Sequence, residues 1–385
     1  MKPKLLQELW AERRLLTSAF ASGIGVGYLP LLVLPWTIGA LMARAGRSES
    51  WAGWMATVEI GALALASLGT SRFAAKPGRR WVGVGGLAAA ILANIASLVA
   101  TPGSAFFLLA RVVSGAGFGA CVAVGNATAA GSVNPTRAFA TVWFLMALWQ
   151  PVIFAATPRA IAALGLNGSY ELMACAGLLF LPWVTLTPDP RPPAPAASVT
   201  THHLNRPRFA MLMLIAFAAF WLREALVYAM SERLAAAQSL NGRQLGTILG
   251  VASVLGLLGP VFAARLKAGM PSPALLCLGL SIAFATSVVM ALGFSASIFS
   301  AAALLAPAAS FFGASLLSGL AGSLDSTGRL AALGAGTGLL SEAVGPIAGG
   351  SLVAIGGPGA LALSVVLIGV LGAFCGTAAA TLTRR

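Results

Sequence analysis

Apolar runs of about twenty residues recur along almost the whole chain, with short polar loops between them, and this pattern leaves few choices of fold. Hydrophobic residues make up 58% of the chain and charged residues only 9%, against roughly 25% charged residues in soluble domains. A water-soluble protein of this length cannot cover so much apolar surface. We therefore expect an all-α membrane protein with twelve transmembrane helices, over residues 17–43, 51–70, 81–100, 104–130, 138–164, 169–187, 209–233, 243–265, 273–293, 297–322, 329–356 and 358–382.

The positions of the basic residues predict how these spans are oriented. With the N-terminus inside, the cytoplasmic segments contain most of the 24 Lys and Arg, namely Lys2, Lys4, Arg13, Arg14, Arg72, Lys76, Arg79, Arg80, Arg137, Arg191, Arg206, Arg208, Arg265, Lys267, Arg329, Arg384 and Arg385. The opposite side keeps only Arg44, Arg47, Arg159, Arg233 and Arg243. This positive-inside pattern predicts that both termini are cytoplasmic, in a bacterial inner membrane. The net charge of +14 is then a result of topology, and we expect no nucleic-acid partner.

A proline-rich segment divides the twelve runs into six and six. Residues 188–208 contain six prolines and few apolar residues, which is typical of a semi-extended linker. We predict an N-terminal six-helix bundle over 1–187, a cytoplasmic linker over 188–208 and a C-terminal six-helix bundle over 209–385. His202 and His203 lie in the linker, where a solvated pair is a poor metal site. Because the four cysteines stand singly on different helices, we also expect no metal and no cofactor.

Two stretches of the chain look like copies of one membrane unit. Residues 109–151 and 310–350 each contain a Gly/Ala-rich apolar helix, a short polar turn that ends in Arg137 or Arg329, and a second apolar helix. Thirteen residues after each arginine stands a polar residue, Gln150 in the first copy and Glu342 in the second. Internal repeats of this kind in a hydrophobic chain are typical of secondary transporters.

Five ionisable residues lie well inside the predicted spans. Each charge at a helix centre costs about 2.5–3.5 kcal/mol, so five unpaired charges would cost on the order of 12–18 kcal/mol. The five side chains must therefore pair, bind protons or face a hydrated cavity. Their similar depths predict one polar layer in the outer half of the bilayer, formed by Glu59, Arg111, Arg223, Glu224 and Glu342.

The sequence leaves the role of several of these charges open. Glu59 and Arg111 form either a structural ion pair or part of the coupling or substrate site. Arg223 and Glu224 are adjacent, so their side chains should point about 100° apart and should not serve one partner, since a helix has 3.6 residues per turn. One of the two is then free to extend outward to the membrane surface.

Glu342 has no basic neighbour on its own helix, which makes it the first candidate for proton coupling, followed by Glu59 and Glu224. The candidates for substrate binding or ion pairing are Arg111, Arg223, Gln150, Trp149, Asn94, Trp221 and Tyr228. For Trp149 and Gln150, together with Trp143 on the same span, simple packing is the alternative interpretation.

At these residues the chain resembles the major facilitator superfamily over essentially its whole length. Arg111, Gly115 and Gly117 match the spacing of the family's helix-four Arg motif, which is associated with proton coupling in some members. The loop after the second span keeps Gly78-Arg79-Arg80 of the family's loop signature but has Ala75 where the signature has Asp. A Gly-Pro-x-x-Gly-Gly run resembles the antiporter motif, which belongs on helix five, but here it begins at Gly345 on the eleventh span.

The resemblance implies two six-helix bundles around a central cavity that work by alternating access. It also implies gating residues near the cytoplasmic loops and at the antiporter-like run, namely Gly78, Arg79, Arg80, Arg137, Asp325, Arg329, Gly345 and Pro346.

Taken together, these features predict a proton-coupled secondary transporter of a small polar or anionic organic solute. The partners are then the solute, protons and the lipid bilayer, and we expect a monomer without enzymatic activity. An efflux antiporter of the same fold and a non-transporting membrane receptor or scaffold are the alternatives, and a receptor would tolerate the loss of every intramembrane charge.

Overall fold

A computed structural model describes residues 3–46, 49–190, 207–240, 242–266 and 271–382. Within these ranges every regular element is a helix. The interior of the predicted linker, with His202 and His203, lies outside the described residues, as do the segments around Ser48 and Lys267 and the basic C-terminal residues.

The first half of the chain forms seven α-helices. They are α1 (Pro3–Phe20), α2 (Leu29–Ala45), α3 (Glu49–Ala74), α4 (Arg79–Val99), α5 (Ala105–Ala130), α6 (Pro135–Leu164) and α7 (Leu166–Thr185). A buried π-helical segment, Ala21–Val26, joins α1 to α2, and the predicted first span runs through all three elements.

The second half forms α8 (Pro207–Ala229), α9 (Ser231–Ala237), α10 (Gly242–Leu255), α11 (Leu258–Ala264), α12 (Pro273–Leu292), α13 (Ala296–Leu324) and α14 (Arg329–Leu382). Helix α14 is interrupted at Gly356 and Gly357, whose backbone angles are not helical. Gly357 has a φ of 65°, a left-handed conformation that side chains other than glycine adopt at a cost. The break falls between the two last predicted spans.

Several helices begin and end where their sequence supplies the missing hydrogen bonds. The Ser104 hydroxyl accepts from the Phe107 N–H at the start of α5, and Ser272 accepts from the Leu275 N–H at the start of α12. The first N–H groups of a helix have no partner within it, so such caps stabilise the helix start. At the other end of α12, Gly293 adopts the left-handed conformation that commonly terminates helices.

Nine helical stretches in the described residues are long and apolar enough to cross a membrane. They coincide with nine of the twelve predicted spans. The stretches over 51–70, 169–187 and 329–356 are helical but are not among the nine. Glu59 and Arg72 lie on α3, Glu171 on α7, and Glu342 on the first part of α14. The multi-pass membrane protein is thus supported, and the count of twelve stays a prediction.

The described helices fall into two compact units. Unit 1 comprises residues 1–133, 148–192 and 326–339, and unit 2 comprises 134–147, 193–325 and 340–385. The first turns of α6 therefore belong to unit 2, and the first turns of α14 to unit 1. Both exchanged segments start at the polar turns of the predicted repeat. The predicted boundaries at 187 and 209 stay a prediction, because the units follow packing rather than chain order.

Candidate functional site

In unit 1, close packing of α3 against α5 places Glu59 beside Arg111. A Cβ atom on Gly115 would overlap the backbone carbonyl oxygen of Glu59, and one on Gly119 would overlap that of Leu63. Glycine at these two positions lets the backbones of α3 and α5 come into contact, as small residues do at helix interfaces in membranes. The Glu59 carboxylate then reaches the guanidinium one turn before Gly115. The glycine of the motif therefore positions the charge pair.

The pair forms a buried hydrogen-bond network. Arg111 Nη1 lies 3.1 Å from Glu59 Oε1, and Arg111 Nη2 donates to Ser97 Oγ at 2.6 Å and to Asn94 Oδ1 at 3.2 Å. The Ser114 hydroxyl donates to Glu59 Oε1 at 2.9 Å and accepts from the Asn94 amide at 3.0 Å. Since charges in an apolar interior are tolerated only when paired and hydrogen-bonded, this network explains how the membrane segment holds two ionised groups.

Aromatic rings cover the same guanidinium. The Arg111 guanidinium carbon lies 4.1 Å from the centre of the Tyr170 ring and 5.9 Å from that of Phe107. Such cation–π contacts are stronger when the cation is desolvated, and Arg111 is only 2% exposed. One donor remains: Arg111 Nε is buried and has no hydrogen-bond partner within the described residues.

In unit 2, Arg223 is held by a comparable set of contacts. Arg223 Nη1 donates to Ser287 Oγ and Nη2 to Ser310 Oγ, both at 2.9 Å. The guanidinium lies 4.6 Å from the centre of the Phe220 ring. Arg111 is thus held by Ser97, Asn94 and aromatic rings, and Arg223 by two serines and an aromatic ring.

Arg223 and Glu224 are partners of each other, which the sequence analysis did not predict. Arg223 Nη2 lies 3.2 Å from Glu224 Oε2, so the two neighbours form an ion pair with each other. Both side chains are long enough to bend back across the 100° between their Cα–Cβ directions. Neither one simply extends to the membrane surface: Arg223 is buried, and the Glu224 side chain is 34% exposed.

Glu342 lies next to this pair because α14 packs closely on α8. A Cβ atom on Gly345 would overlap the Cβ of Ala225, and Gly349 lies against Leu226. Glu342, one turn before Gly345, is half-buried, and its carboxylate interacts electrostatically with that of Glu224. Tyr228 is near as well, since it also interacts with Glu224. Unit 2 therefore places Glu342 near Glu224, the carboxylate that is paired with Arg223.

Within their own units the five intramembrane charges form two clusters, and the single polar layer stays a prediction. The first cluster, in unit 1, contains Glu59 and Arg111, and the second, in unit 2, contains Arg223, Glu224 and Glu342.

The remaining candidates for substrate contact have different surroundings. Asn94 is part of the first cluster. Trp149 donates from its indole N–H to the Gly25 carbonyl at 3.0 Å and packs edge-on against Phe180, while Gln150 is half-buried. Trp221 is buried against Phe220 and Trp143, whose ring centres lie 5.3 and 5.4 Å away. Tyr228 is 56% exposed.

The loop between α3 and α4 acquires an acidic partner from elsewhere in the chain. Asp189 Oδ1 accepts from the Gly78 N–H at 2.7 Å, and the Asp189 carboxylate attracts the Arg79 guanidinium. Arg79 itself donates to the carbonyls of Pro188 and Ala127, at 2.7 and 3.1 Å. The signature-like loop, which has Ala75 at the acidic position, is thus tied to the chain after α7.

The other gating candidates lie near helix ends. Arg80 is exposed and covers the Trp81 ring at 4.9 Å. The backbone N–H groups of Arg137 and Arg329 donate to Asn134 Oδ1 and Thr327 Oγ1, which caps the starts of α6 and α14. Asp325 is buried at the end of α13. Pro346 lies in α14, and its side chain is outside the described residues.

Sequence reasoning missed Tyr170, the four serines and Asp189. For Ser97 and Ser114 a signal was available, because they stand three residues after Asn94 and Arg111 and therefore on the same helix faces. Ser287, Ser310, Tyr170 and Asp189 are distant in sequence from their partners, so no local pattern marks them. Within the described residues, no three His, Cys, Asp or Glu side chains are placed to hold a metal.

Comparison with known proteins shows a similarity of structure without a match in sequence. No protein-family profile and no curated protein matches the chain. A crystal structure of the human organic anion transporter MFSD10 (TETRAN) is similar with a TM-score of 0.73 at 17% identity, covering 95% of this chain and 99% of that chain.

Two further solved structures are similar over most of their length. The proton:xylose symporter XylE, bound to 6-bromo-6-deoxy-D-glucose, gives a TM-score of 0.72 at 13% identity, covering 94% of each chain. A bacterial homologue of the iron transporter ferroportin gives 0.65 at 13% identity, covering 97% of this chain and 99% of that chain. The chain therefore has the fold of the major facilitator superfamily transporters.

Proposed function

We propose that this protein is a proton-coupled secondary transporter of a small polar or anionic organic solute, working by alternating access in a bacterial inner membrane. The fold supports the transporter class, because the similar structures are named as transporters of an organic anion, a sugar and iron. Those names share transport and differ in substrate. The choice of proton coupling therefore rests on the residues of this chain.

The observation that carries the proposal is the charge balance of the second cluster. Arg223 supplies one positive charge, whereas Glu224 and Glu342 supply two negative charges when both are ionised. Glu224 is paired with Arg223 at 3.2 Å, so among the described residues Glu342 is left without a cationic partner of its own and interacts with a second carboxylate. Two close carboxylates of which one lacks a counter-ion favour binding a proton. Glu342 is accordingly our proton-coupling residue.

The first cluster has the opposite balance. Glu59 and Arg111 neutralise each other, and the surrounding amide and hydroxyl groups occupy most of their hydrogen-bonding capacity. Protonation of Glu59 would leave a buried guanidinium without a counter-ion, which is costly. We therefore assign Glu59 mainly a structural role, and Glu224 the role of the group that shares a proton with Glu342.

We assign substrate contact to both positively and negatively charged side chains. Solutes that carry a carboxylate or several hydroxyl groups can use arginine and glutamate side chains together, whereas an apolar solute would leave them unpaired. Among the sequence candidates for substrate contact, Tyr228 is exposed and Gln150 is half-buried. They are therefore better placed to meet a solute than the buried Trp221 and Asn94.

The test is transport into proteoliposomes of defined pH gradient, over a panel of organic acids, amino acids and sugars. Wild-type protein should accumulate one solute class only when a gradient is imposed, and the polarity of the effective gradient distinguishes symport from antiport. Glu342→Gln should abolish gradient-driven accumulation and retain counterflow, since exchange of solute does not require net proton movement.

Glu171→Gln on α7, a carboxylate outside both clusters, is the matched control and should behave as wild type. Full gradient-driven accumulation by Glu342→Gln would remove Glu342 from coupling. Absence of any solute flux in the wild type over the whole panel, with folded protein, would favour the receptor alternative.

A further inference from the structure

The turn between α3 and α4 carries basic and aromatic side chains that belong to neither charge cluster. The last turn of α3 contains Arg72 and Phe73, and the first turn of α4 contains Arg80 and Trp81. Lys76 lies in the connecting turn, and all five side chains are exposed. We call these five residues, which all belong to unit 1, the basic–aromatic turn.

Each arginine of this turn lies over the ring that follows it in the sequence. The Arg72 guanidinium carbon is 4.7 Å from the centre of the Phe73 ring, and the Arg80 guanidinium carbon is 4.9 Å from that of the Trp81 ring. Contact with a ring fixes the plane of a guanidinium, while its N–H groups can still donate from the edge. Among the described residues, the side chains of Arg72, Lys76 and Arg80 have no hydrogen-bond acceptor. The turn therefore presents oriented donors that lack acceptors.

Arg79, the neighbour of Arg80, has the opposite surroundings. Its side chain is 1% exposed and donates to two backbone carbonyls. The Asp189 carboxylate accepts from the Gly78 N–H and attracts Arg79. Arg79 and Asp189 thus hold the turn to the rest of unit 1. Because Arg80 takes no part in these bonds, the fold does not require a basic side chain at its position.

The two rings lie at the ends of helices that pass through the membrane. Phe73 is 44% exposed and Trp81 is 64% exposed, and α4 is one of the stretches long and apolar enough to cross a membrane. Exposed aromatic side chains at such ends lie at the level of the lipid head groups. A guanidinium over one of these rings lies at the same level, where lipid phosphodiesters are the acceptors at hand. The planar N–H fork of arginine fits phosphate oxygens well.

The charge of the turn favours an anionic lipid over a zwitterionic one. The three basic side chains supply three positive charges, whereas Asp189 is already balanced by Arg79. Basic residues at a membrane surface attract anionic head groups, and the ammonium group of a zwitterionic lipid would be repelled. Free phosphate offers the same oxygens as a lipid but has no acyl chains to pack beside the two rings.

We propose that the basic–aromatic turn is a binding site for the head group of an anionic phospholipid. The phosphodiester accepts from the guanidinium groups on the two sides of the turn, and Lys76 adds a third positive charge. The acyl chains pack beside Phe73 and Trp81. This site is separate from both charge clusters and does not depend on the proposed transport function.

The proposal can be tested by photolabelling the purified full-length protein in phosphatidylcholine nanodiscs. The probe is a phosphatidylglycerol with a diazirine in its head group, present at low mole fraction, and labelled chymotryptic peptides are identified by mass spectrometry. We expect labelling in the peptides that contain residues 72–81. Arg72→Gln and Arg80→Gln should each reduce this labelling about fivefold, and the double variant about 25-fold, because each basic residue contributes separately to the attraction of an anionic lipid.

Two controls separate this site from a general attraction between charges. Trp81→Leu keeps every charge but removes the ring under Arg80, so labelling should fall about two- to fivefold, and Trp81→Tyr should restore it. Arg208→Gln removes the same charge from the second residue of α8, where Arg208 is also exposed but the following ring, Phe209, is buried. This variant should leave labelling of the turn unchanged.

The proposal is overturned if a phosphatidylcholine probe of the same design labels the turn as strongly, or if labelling is unchanged in both arginine variants or in Trp81→Leu. An equal loss in Arg208→Gln would overturn it as well, because only net charge would then matter. Displacement of the probe by excess inorganic phosphate would assign the turn to a free anion instead of a lipid.

The substituted side chains are exposed, so each variant should elute as wild type in size-exclusion chromatography. If Arg80→Gln does not, Arg72→Gln provides the same test on the other side of the turn. Labelling is measured without solute or gradient, and failure of the proposed transport function would therefore leave these outcomes unaffected.

Discussion

The buried pair of Glu59 and Arg111 allows a quantitative test of how unit 1 is held together. Changing Glu59 to Gln removes the carboxylate 3.1 Å from the guanidinium, where the two side chains are 10% and 3% exposed. Removing one member of a buried ion pair typically costs about 3–5 kcal/mol, because the other charge is left uncompensated. Arg111 keeps Asn94, Ser97 and the Tyr170 ring, so we expect about 3 kcal/mol, at the lower end of that range.

The double variant tests whether Glu59 and Arg111 interact directly. Arg111→Gln alone should cost a similar amount, since Glu59 would then be the uncompensated charge. Glu59→Gln with Arg111→Gln leaves two neutral amides that can bond to each other and to Ser114, so we expect about 3 kcal/mol rather than the additive value of about 6 kcal/mol. The resulting coupling energy of about 3 kcal/mol is at the upper end for residues in direct contact.

The assay is denaturant unfolding in mixed micelles, followed by tryptophan fluorescence. Glu171→Gln and Arg159→Gln, which are not bonded to each other, form the control cycle and should be additive within about 0.5 kcal/mol. Additive losses for Glu59 and Arg111 would refute the reasoning, because the pair would then contribute nothing as a pair.

Three further outcomes are expected. Gly115→Ala should lower the melting temperature by several degrees, because the new Cβ overlaps the Glu59 carbonyl oxygen and overpacking costs about 1–3 kcal/mol. As the control, the new Cβ in Gly85→Ala on α4 meets no atom within 4 Å, so this variant should be neutral or stabilising. Asp189→Ala should expose the loop at Gly78 and increase the rate of tryptic cleavage at Arg79 and Arg80, and an unchanged rate would mean that Asp189 does not hold this loop. In a cysteine-less background, Ser48→Cys should react with an impermeant maleimide in intact cells and Ser198→Cys should not; labelling at Ser198 would contradict the twelve-span topology.

Much of the architecture could be predicted because a bilayer restricts the chain so strongly. Apolar run length and the bias of Lys and Arg depend only on composition along the sequence, and the similar solved structures support the fold that the family resemblance implied. The count of twelve spans and the orientation of the termini stay predictions. The spans over 51–70, 169–187 and 329–356 are helical but are not among the nine membrane-length stretches of the described residues.

The candidate site could be predicted only in part. Charges inside apolar spans identified all five members of the two clusters, because each charge is costly there. The division into two clusters depends on which helices pack together, which spacing along the chain does not reveal. The pairing of Arg223 with Glu224 was missed because only the angle of about 100° between their Cα–Cβ directions was considered. Long side chains can bend across that angle. Asp189 lies 111 residues from Gly78, and nothing local connects the two.

The two clusters differ in charge balance. The structural role proposed for Glu59 and the coupling role proposed for Glu342 therefore predict different effects of mutation. In unit 1 a neutral pair is surrounded by donors and acceptors that already match it, so changing its protonation breaks favourable contacts. In unit 2 one carboxylate exceeds the available positive charge, so a proton there relieves repulsion with Glu224. Glu59→Gln should therefore reduce stability more than coupling, and Glu342→Gln should reduce coupling more than stability. If instead Glu342→Gln destabilised the fold as strongly as Glu59→Gln, both acids would be structural, and coupling would have to reside in Glu224.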